Sequence, residues 1–344
     1  MLQLKNNSPF QASIAVFPNE RGVDTLYVVV KGTFSLGETV RLVEKQRAVV
    51  LADEYWGEPG TSSLKYASEA HLSKPCTDVV VIGEACTPGR RPVSQLDVSI
   101  AVADRKKTLR VFGDRMWEKG LFGMRMTDAV PFETMPLVYE RAFGGMHLIN
   151  PEKNEVVFEP CNPVGRGFAG KRKRDELDGM KLPNLEDPTS PITKPSHKPA
   201  PAGVGFISPA WEPRKSFAGT YDDVWQKTRA PYLPEDFKPQ YFNAAHPDLI
   251  CNGYLKGGEP VEVINASPQG PLRFRLPICR VEAAVRIAGK TESPPFNLET
   301  ILIEPSASIL CHTWRAELPC DKKVLKVEQV DLVVHGLESI GKAA

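Results

Sequence analysis

Apolar positions recur every second residue toward both ends of this chain and rarely every three or four. From Ser13 to Phe17 and from Thr25 to Phe34, β-branched and aromatic residues follow one another, split by Pro18, Asn19 and Gly22. Those three residues favour turns, so the pattern predicts a β-hairpin. Residues 77–83, TDVVVIG, form a short apolar run between Pro75 and the Thr87-Pro88-Gly89 turn, as a buried strand requires. A second hairpin is predicted where Val98, Ile100 and Val102 alternate with small residues, DRKK turns the chain, and Leu109 and Val111 resume the alternation. PLVYERAFGG at 136–145 predicts a further strand ended by two glycines. Near the C-terminus, Val261 and Val263 lead through NASPQG to Leu272, Phe274 and Leu276, and Val281, Ala283, Val285 and Ile287 continue the alternation. That predicts an antiparallel meander, with Arg273 and Arg275 on a wet outer face. Thr300 to Glu304 and Ser308 to Trp314 supply two more runs.

Between these ends the pattern breaks. From Cys161 to Glu259 the chain is dense in proline and glycine, and proline removes an N–H donor and fixes φ, so neither a regular sheet nor a long helix fits. Yet Phe168, Phe206, Trp211, Trp225, Tyr241 and Phe242 lie in it, and disordered linkers are poor in such rings. The stretch is therefore expected to be an ordered crossing. Thr220 and Asp223 form a capping pattern, Tyr221, Val224, Trp225 and Thr228 share a face, and Pro231 ends the run, which predicts one short helix docked by its aromatic side. The fold class that follows is mainly β. Two antiparallel, sandwich-like β-rich halves, 1–150 and 260–340, are joined by the crossing 151–259, a division compatible with a single compact domain.

Charge narrows the choice of partners. Lys and Arg number 43 against 42 Asp and Glu, a net +1, so no global field draws the chain to nucleic acid or an anionic membrane, and neither is expected as a partner. MLQLKNNSPF has no apolar core of the signal-peptide kind, and no run approaches the roughly 18–20 apolar residues of a membrane span, so the expected location is the cytoplasm. The seven cysteines form neither CxxC pairs nor a disulfide framework and read as reduced thiols. The six histidines never take HExxH spacing, so neither a metal nor a cofactor is expected. KRKR at 171–174 is followed by DELD and reads as a self-compensated loop. Ser62 or Ser63 with His71 could pose as nucleophile and base, but the GxSxG elbow is missing, and loop hydrogen bonding is the simpler reading. Asp97 and Asp114 read as turn acceptors or ion-pair partners. No catalytic residue is assigned.

Ten ordered motifs go further in combination. They are KGTF at 31–34, SSLKYASE at 62–69, KPCTDVVVIGEA at 74–85, LRVFGDR at 109–115 and MPLVYERAFGG at 135–145; then NPVGRGF at 162–168, LPNLEDP at 182–188, AGTYDDVW at 218–225, AAHPDL at 244–249 and GYLKGGE at 253–259. Together, across residues 2–320, they resemble a bacterial family of unknown function that occurs in type VI secretion gene clusters, sometimes fused to pentapeptide repeats, which do not occur within these 344 residues. The resemblance implies a non-enzymatic adaptor or chaperone that binds an effector toxin and aids its loading onto the VgrG spike, with VgrG or a PAAR spike protein as a second partner. It brings no catalytic residues with it. Trp, Tyr and Arg dominate binding hot spots, so the partner surface is expected on Trp211, Arg214, Tyr221, Trp225, Arg229 and Tyr232 of the crossing; the competing reading makes these rings internal anchors. Two alternatives stand beside the adaptor. One is a hydrolase-like enzyme with a polar cleft in which Glu69, Asp78 or Asp114 meets His71 or Arg141, and the other is a structural β-module of the spike.

Overall fold

The longest alternating run becomes the middle of the largest sheet. In the computed structural model, which describes residues 2–337 and 341–342, strand Asp24–Ser35 pairs antiparallel with Gln11–Pro18, the predicted hairpin, and on its other side with Ile309–Pro319. Ile309–Pro319 pairs in turn with Phe296–Glu304, and Phe296–Glu304 with Asp78–Val81 in parallel. Every residue from Thr25 to Phe34 is buried, so both faces of this strand are covered. One face sends Leu26, Val28 and Val30 into the main core, while the other presents Lys31 and Thr33 to polar partners.

The second hairpin forms, Gln95–Val102 against Arg105–Phe112, but it turns at Ala103 and Asp104, and Arg105, Lys106 and Lys107, expected in the turn, are strand residues opposite Val102, Ala101 and Ile100. It is widened by Pro260–Ile264, Leu272–Arg275 and Leu185–Glu186 into a five-stranded sheet. A third sheet joins Gln3–Asn6, Val327–His335, Arg280–Ile287 and Lys290–Glu292. Each of the three draws strands from both ends of the chain. The fold is mainly β, with mostly antiparallel sheets and no long helix among the described residues.

Two expected elements differ. The meander does not continue past Leu276, because Arg280–Ile287 leaves the five-stranded sheet to pair with Val327–His335. PLVYERAFGG is not one strand but a short strand at Thr134–Pro136, a 3-10 turn at Tyr139–Arg141 and a two-residue strand at Phe143–Gly144. Gly144 has φ +151°, and a Cβ there would lie 2.1 Å from the Asn162 carbonyl oxygen, so the backbone bends where a straight strand was expected.

The crossing is ordered and takes a definite place. Val81 N–H donates to Val204 O at 2.8 Å, Cys251 N–H to Thr77 O at 2.9 Å and Thr77 N–H to Gly253 O at 3.1 Å, so its loops satisfy the outer edge of Asp78–Val81. An exposed edge strand is a template for pairing between molecules, and this one is closed. Within the crossing the predicted helix is Asp223–Thr228, but its cap is Asp222, whose carboxylate accepts the Trp225 N–H at 2.8 Å. Thr220 is taken instead by Asp236, its N–H donating at 2.9 Å and its hydroxyl at 2.7 Å. No helix residue is buried, which corrects the expected docked aromatic face. A smaller core of Trp117, Phe143, Phe168, Leu182 and Ile192 lies beneath the hairpins Trp117–Met126 and Met146–Phe158. The seven cysteines are free thiols. No helix of the described residues is long and apolar enough to cross a membrane.

Candidate functional site

The motifs gather into two polar junctions. In the first, Lys31, Glu69, Lys74 and Asp78 meet Glu299, Thr300, Thr313 and Arg315 of the Phe296–Pro319 hairpin, all buried. Lys31 Nζ donates to Glu69 Oε2 at 3.0 Å, the Thr313 hydroxyl to Glu69 Oε1 at 2.6 Å and the Val50 N–H to Glu69 Oε2 at 2.7 Å. Arg315 Nε donates to Glu299 Oε2 at 2.7 Å. Lys74 Nζ donates to Asp78 Oδ2 at 2.7 Å and to Thr300 Oγ1 at 2.8 Å, and Asn243 of the crossing donates to Asp78 Oδ1 at 2.8 Å. Lys31, Lys74 and Arg315 thus balance Glu69, Asp78 and Glu299. Burial pushes the Glu299 carboxyl up while Arg315 and Lys74 oppose it. A charged network satisfied in this way rigidifies its surroundings.

His71 borders this junction. Its Nδ1 contacts the Leu72 carbonyl, its Nε2 is 3.3 Å from Arg315 Nη2, and its ring stacks on Phe242 at 5.2 Å. Burial, then the charges of Arg315 and Lys74, hold the imidazole neutral well below its ordinary range. The Ser–His pairing weighed from the sequence is not formed, because Ser62 Oγ donates to Glu58 O at 2.9 Å and Ser63 Oγ to Glu140 Oε2 at 2.7 Å.

The second junction joins four motifs far apart in sequence. Asn184 of LPNLEDP accepts, on Oδ1, Arg141 Nη1 at 3.0 Å and Arg166 Nη1 at 3.2 Å, and donates through Nδ2 to Asp114 Oδ1 at 3.0 Å. Asp114 lies 3.6 Å from Arg141 and 3.9 Å from Arg166. The Asn184 hydrogen bond, then the two arginines working against burial, hold Asp114 below the usual carboxylate range. Burial and the neighbouring Arg141 charge lower Arg166. Behind them the buried Asn162 donates to Tyr139 O at 2.7 Å and Phe143 O at 3.0 Å, which fixes the turn that carries Arg141. Arg141, Arg166 and Glu140 open onto a cavity of about 590 Å³ walled by Trp56 and Val138. The Asp114–Arg141 pair named from the sequence is therefore real, but Asn184, which organises it, was visible only as a residue within a motif.

The six residues expected to bind a partner divide. Trp211 and Arg214 are only 6 % and 8 % exposed, which corrects their expected place on the surface. Trp211 packs edge-on against Tyr139 at 5.8 Å, and Arg214 donates to Ile207 O at 2.6 Å and Tyr241 O at 2.9 Å, so both anchor the crossing from inside. Tyr221 and Tyr232 are exposed, and Trp225 and Arg229 half-buried. Trp225 Nε1 donates to Tyr232 O at 2.8 Å, while Arg229 donates to Leu233 O at 2.9 Å and Glu20 O at 2.7 Å, making one small surface lobe.

More apolar surface is exposed elsewhere. Leu121 and Phe122 form the tip of hairpin Trp117–Met126 and are 94 % and 102 % exposed. In hairpin Met146–Phe158, Met146 pairs with Phe158 and Leu148 with Val156, so four exposed apolar side chains share one face. Short apolar runs in a sequence read as core, which is why these were missed. Among the described residues, no group of three His, Cys, Asp or Glu side chains could hold a metal ion. Residues 21–315 match a sequence family described as "Uncharacterized protein conserved in bacteria (DUF2169)". No curated protein and no solved structure matches the chain.

Proposed function

Because this chain belongs to the uncharacterized bacterial family DUF2169, its role is read from its own surface, and we propose that it is a non-enzymatic binding protein, an adaptor that holds a type VI effector toxin in the cytoplasm and aids its loading onto the VgrG spike. VgrG or a PAAR protein would be its second contact. The observation that carries a binding role is the apolar surface of Leu121, Phe122, Met146, Leu148, Val156 and Phe158, on two hairpins rooted in one small core. Exposed apolar side chains gathered on one face, as the four of hairpin Met146–Phe158 are, mark interaction surfaces, and a scaffold stiffened by satisfied charged junctions loses little entropy when it binds. The type VI assignment rests on the ten motifs of the sequence.

Co-expression with the product of each neighbouring gene, followed by affinity capture and size-exclusion chromatography, tests the reading. A stoichiometric complex with a toxin-like neighbour is expected, and the double variant F122S/F158S is expected to lose it while keeping its melting temperature. If no neighbour binds, or the variant binds as the parent does, the reading fails. The contact of Asp114 with Arg141 beside a cavity is the one observation favouring a hydrolase-like enzyme. That alternative requires turnover that Asp114→Asn abolishes without unfolding the protein.

A further inference from the structure

A second cavity, of about 310 Å³, lies where the second hairpin meets the LPNLEDP and AAHPDL segments and residues 201–206, PAGVGF. Lys107 reaches it, 3 % exposed, with Nζ 2.9 Å from Asp248 Oδ2 and 3.9 Å from Asp187 Oδ2. Glu212 adds a third carboxylate, whose Oε2 accepts the Ser216 N–H at 3.2 Å. His246 lies in the wall and accepts the Asp248 N–H on Nδ1 at 3.2 Å; burial, then Lys107, lowers it to about 4, so it brings no charge at neutral pH. Cys161 is pushed up to about 11 by burial and by Glu159 and Glu212 and stays a thiol. Among the described residues, the cavity wall therefore sets the carboxylates of Asp187, Asp248 and Glu212 against one cation, Lys107, an excess of two negative charges.

A second, independent feature points to a missing ligand. Tyr139 lines the cavity, is 3 % exposed, and its hydroxyl has no hydrogen-bond partner among the described residues. Its ring is held by Trp211 on one side and by Gly203 on the other, where a Cβ would come within 2.5 Å of the ring. The phenol cannot swing away to find a partner, and a buried hydroxyl is normally satisfied.

We propose that this cavity binds an alkylguanidinium, the end of an arginine side chain or of a free arginine-like amine. The guanidinium is a planar fork of five donors that suits carboxylates set around a pocket, and the Tyr139 oxygen can accept one of its N–H groups. Ala202, Ile207 and Pro213 in the wall suit the methylene stem, as long cationic side chains lay their stems along apolar surface. The volume is at the lower limit of ligand cavities, enough for a side chain and too small for a nucleotide, whose phosphates the carboxylates would also repel. This inference goes beyond the adaptor reading and does not depend on it.

The test uses the full chain with its isoleucine methyl groups labelled, and follows Ile207 by NMR during titration with three probes. These are Nα-acetyl-arginine N-methylamide, agmatine, and the uncharged Nα-acetyl-citrulline N-methylamide. Saturable shifts at Ile207 are expected with the cations, with citrulline weaker by about tenfold, the loss of one good charged contact. E212Q, a change at a partly exposed position, is expected to weaken the cations severalfold. Y139F removes only a hydroxyl that has no partner, and is expected to keep the fold while weakening the cations too. Tighter binding of the acetylated arginine marks a polypeptide-borne group, and tighter binding of agmatine a free amine. Equal shifts with citrulline, no shift at Ile207, or unchanged affinity in both E212Q and Y139F would overturn the proposal.

Discussion

His312 offers a quantitative check on how well the main core excludes water. It lies fully buried on strand Ile309–Pro319, its ring 5.4 Å from Phe34 and 5.3 Å from Trp314 between ring centroids, and neither ring nitrogen has a hydrogen-bond partner among the described residues. Burial lowers it to about 3, against about 6.5 in an unfolded chain. Below pH 6.5 the unfolded chain therefore takes up a proton that the folded chain refuses. The stability linked to this group is fully present above pH 6.5 and is lost as pH falls toward 3. From pH 7 to pH 5 the loss amounts to about 2 kcal/mol. His312→Leu removes the titrating group and keeps an apolar side chain in place. Urea unfolding followed by tryptophan fluorescence at pH 7 and pH 5 should show the variant losing about 2 kcal/mol less than the parent between the two conditions. His71 and His246 are also held low by burial, but they remain in both proteins and cancel in the difference. A variant that loses stability in parallel with the parent would refute the reasoning, because His312 would then be titrating in the folded state.

Other consequences can be read from single positions. Asp78→Asn leaves the Lys74 ammonium buried without its carboxylate and should cost about 3–5 kcal/mol in a urea titration, whereas Asp175→Asn, in the exposed pair with Lys119, should leave the midpoint unchanged. Trp211→Ala empties an anchor site and should cost about 3–5 kcal/mol; Trp225→Ala, in a helix without buried residues, should lower the melting temperature far less. Gly113→Ala would put a Cβ 1.6 Å from the Val130 carbonyl oxygen and should cost about 3 kcal/mol or more. Gly205→Ala, with nothing within 4 Å of the added carbon, should be tolerated, and equal melting temperatures for these two variants would count against the close approach at Gly113.

Both early hairpins were legible because alternation and turn residues are local signals that act within a few positions. What pairs Asp24–Ser35 with Ile309–Pro319 is not local. The apolar face of each strand is written in its own segment, but the choice of neighbour depends on how all faces are covered together. The sequence pointed to Thr220 as the cap and Asp222 takes that place, because a remote residue, Asp236, occupies Thr220. Rings in a proline-rich loop carry no periodicity, so nothing in the sequence distinguished Trp211, inside, from Tyr221, outside. At the second junction Asp114 and Arg141 stood out by charge. Asn184 and Arg166 did not, because an amide hub and a second guanidinium acquire their roles only when four loops meet.

The loops that close the edge of Asp78–Val81 also set a timetable for synthesis. That strand emerges from the ribosome early, yet its cover at Val204 to Gly253 comes later, and its sheet neighbour Phe296–Glu304 later still. The most central strand, Asp24–Ser35, likewise waits for Ile309–Pro319. The largest sheet therefore cannot assemble while the chain is being made, because its two ends must both be present. Such long-range pairing slows folding and leaves apolar strands open meanwhile. For a polypeptide of this topology the vulnerable interval is the minute of its own translation, when holdase chaperones matter most.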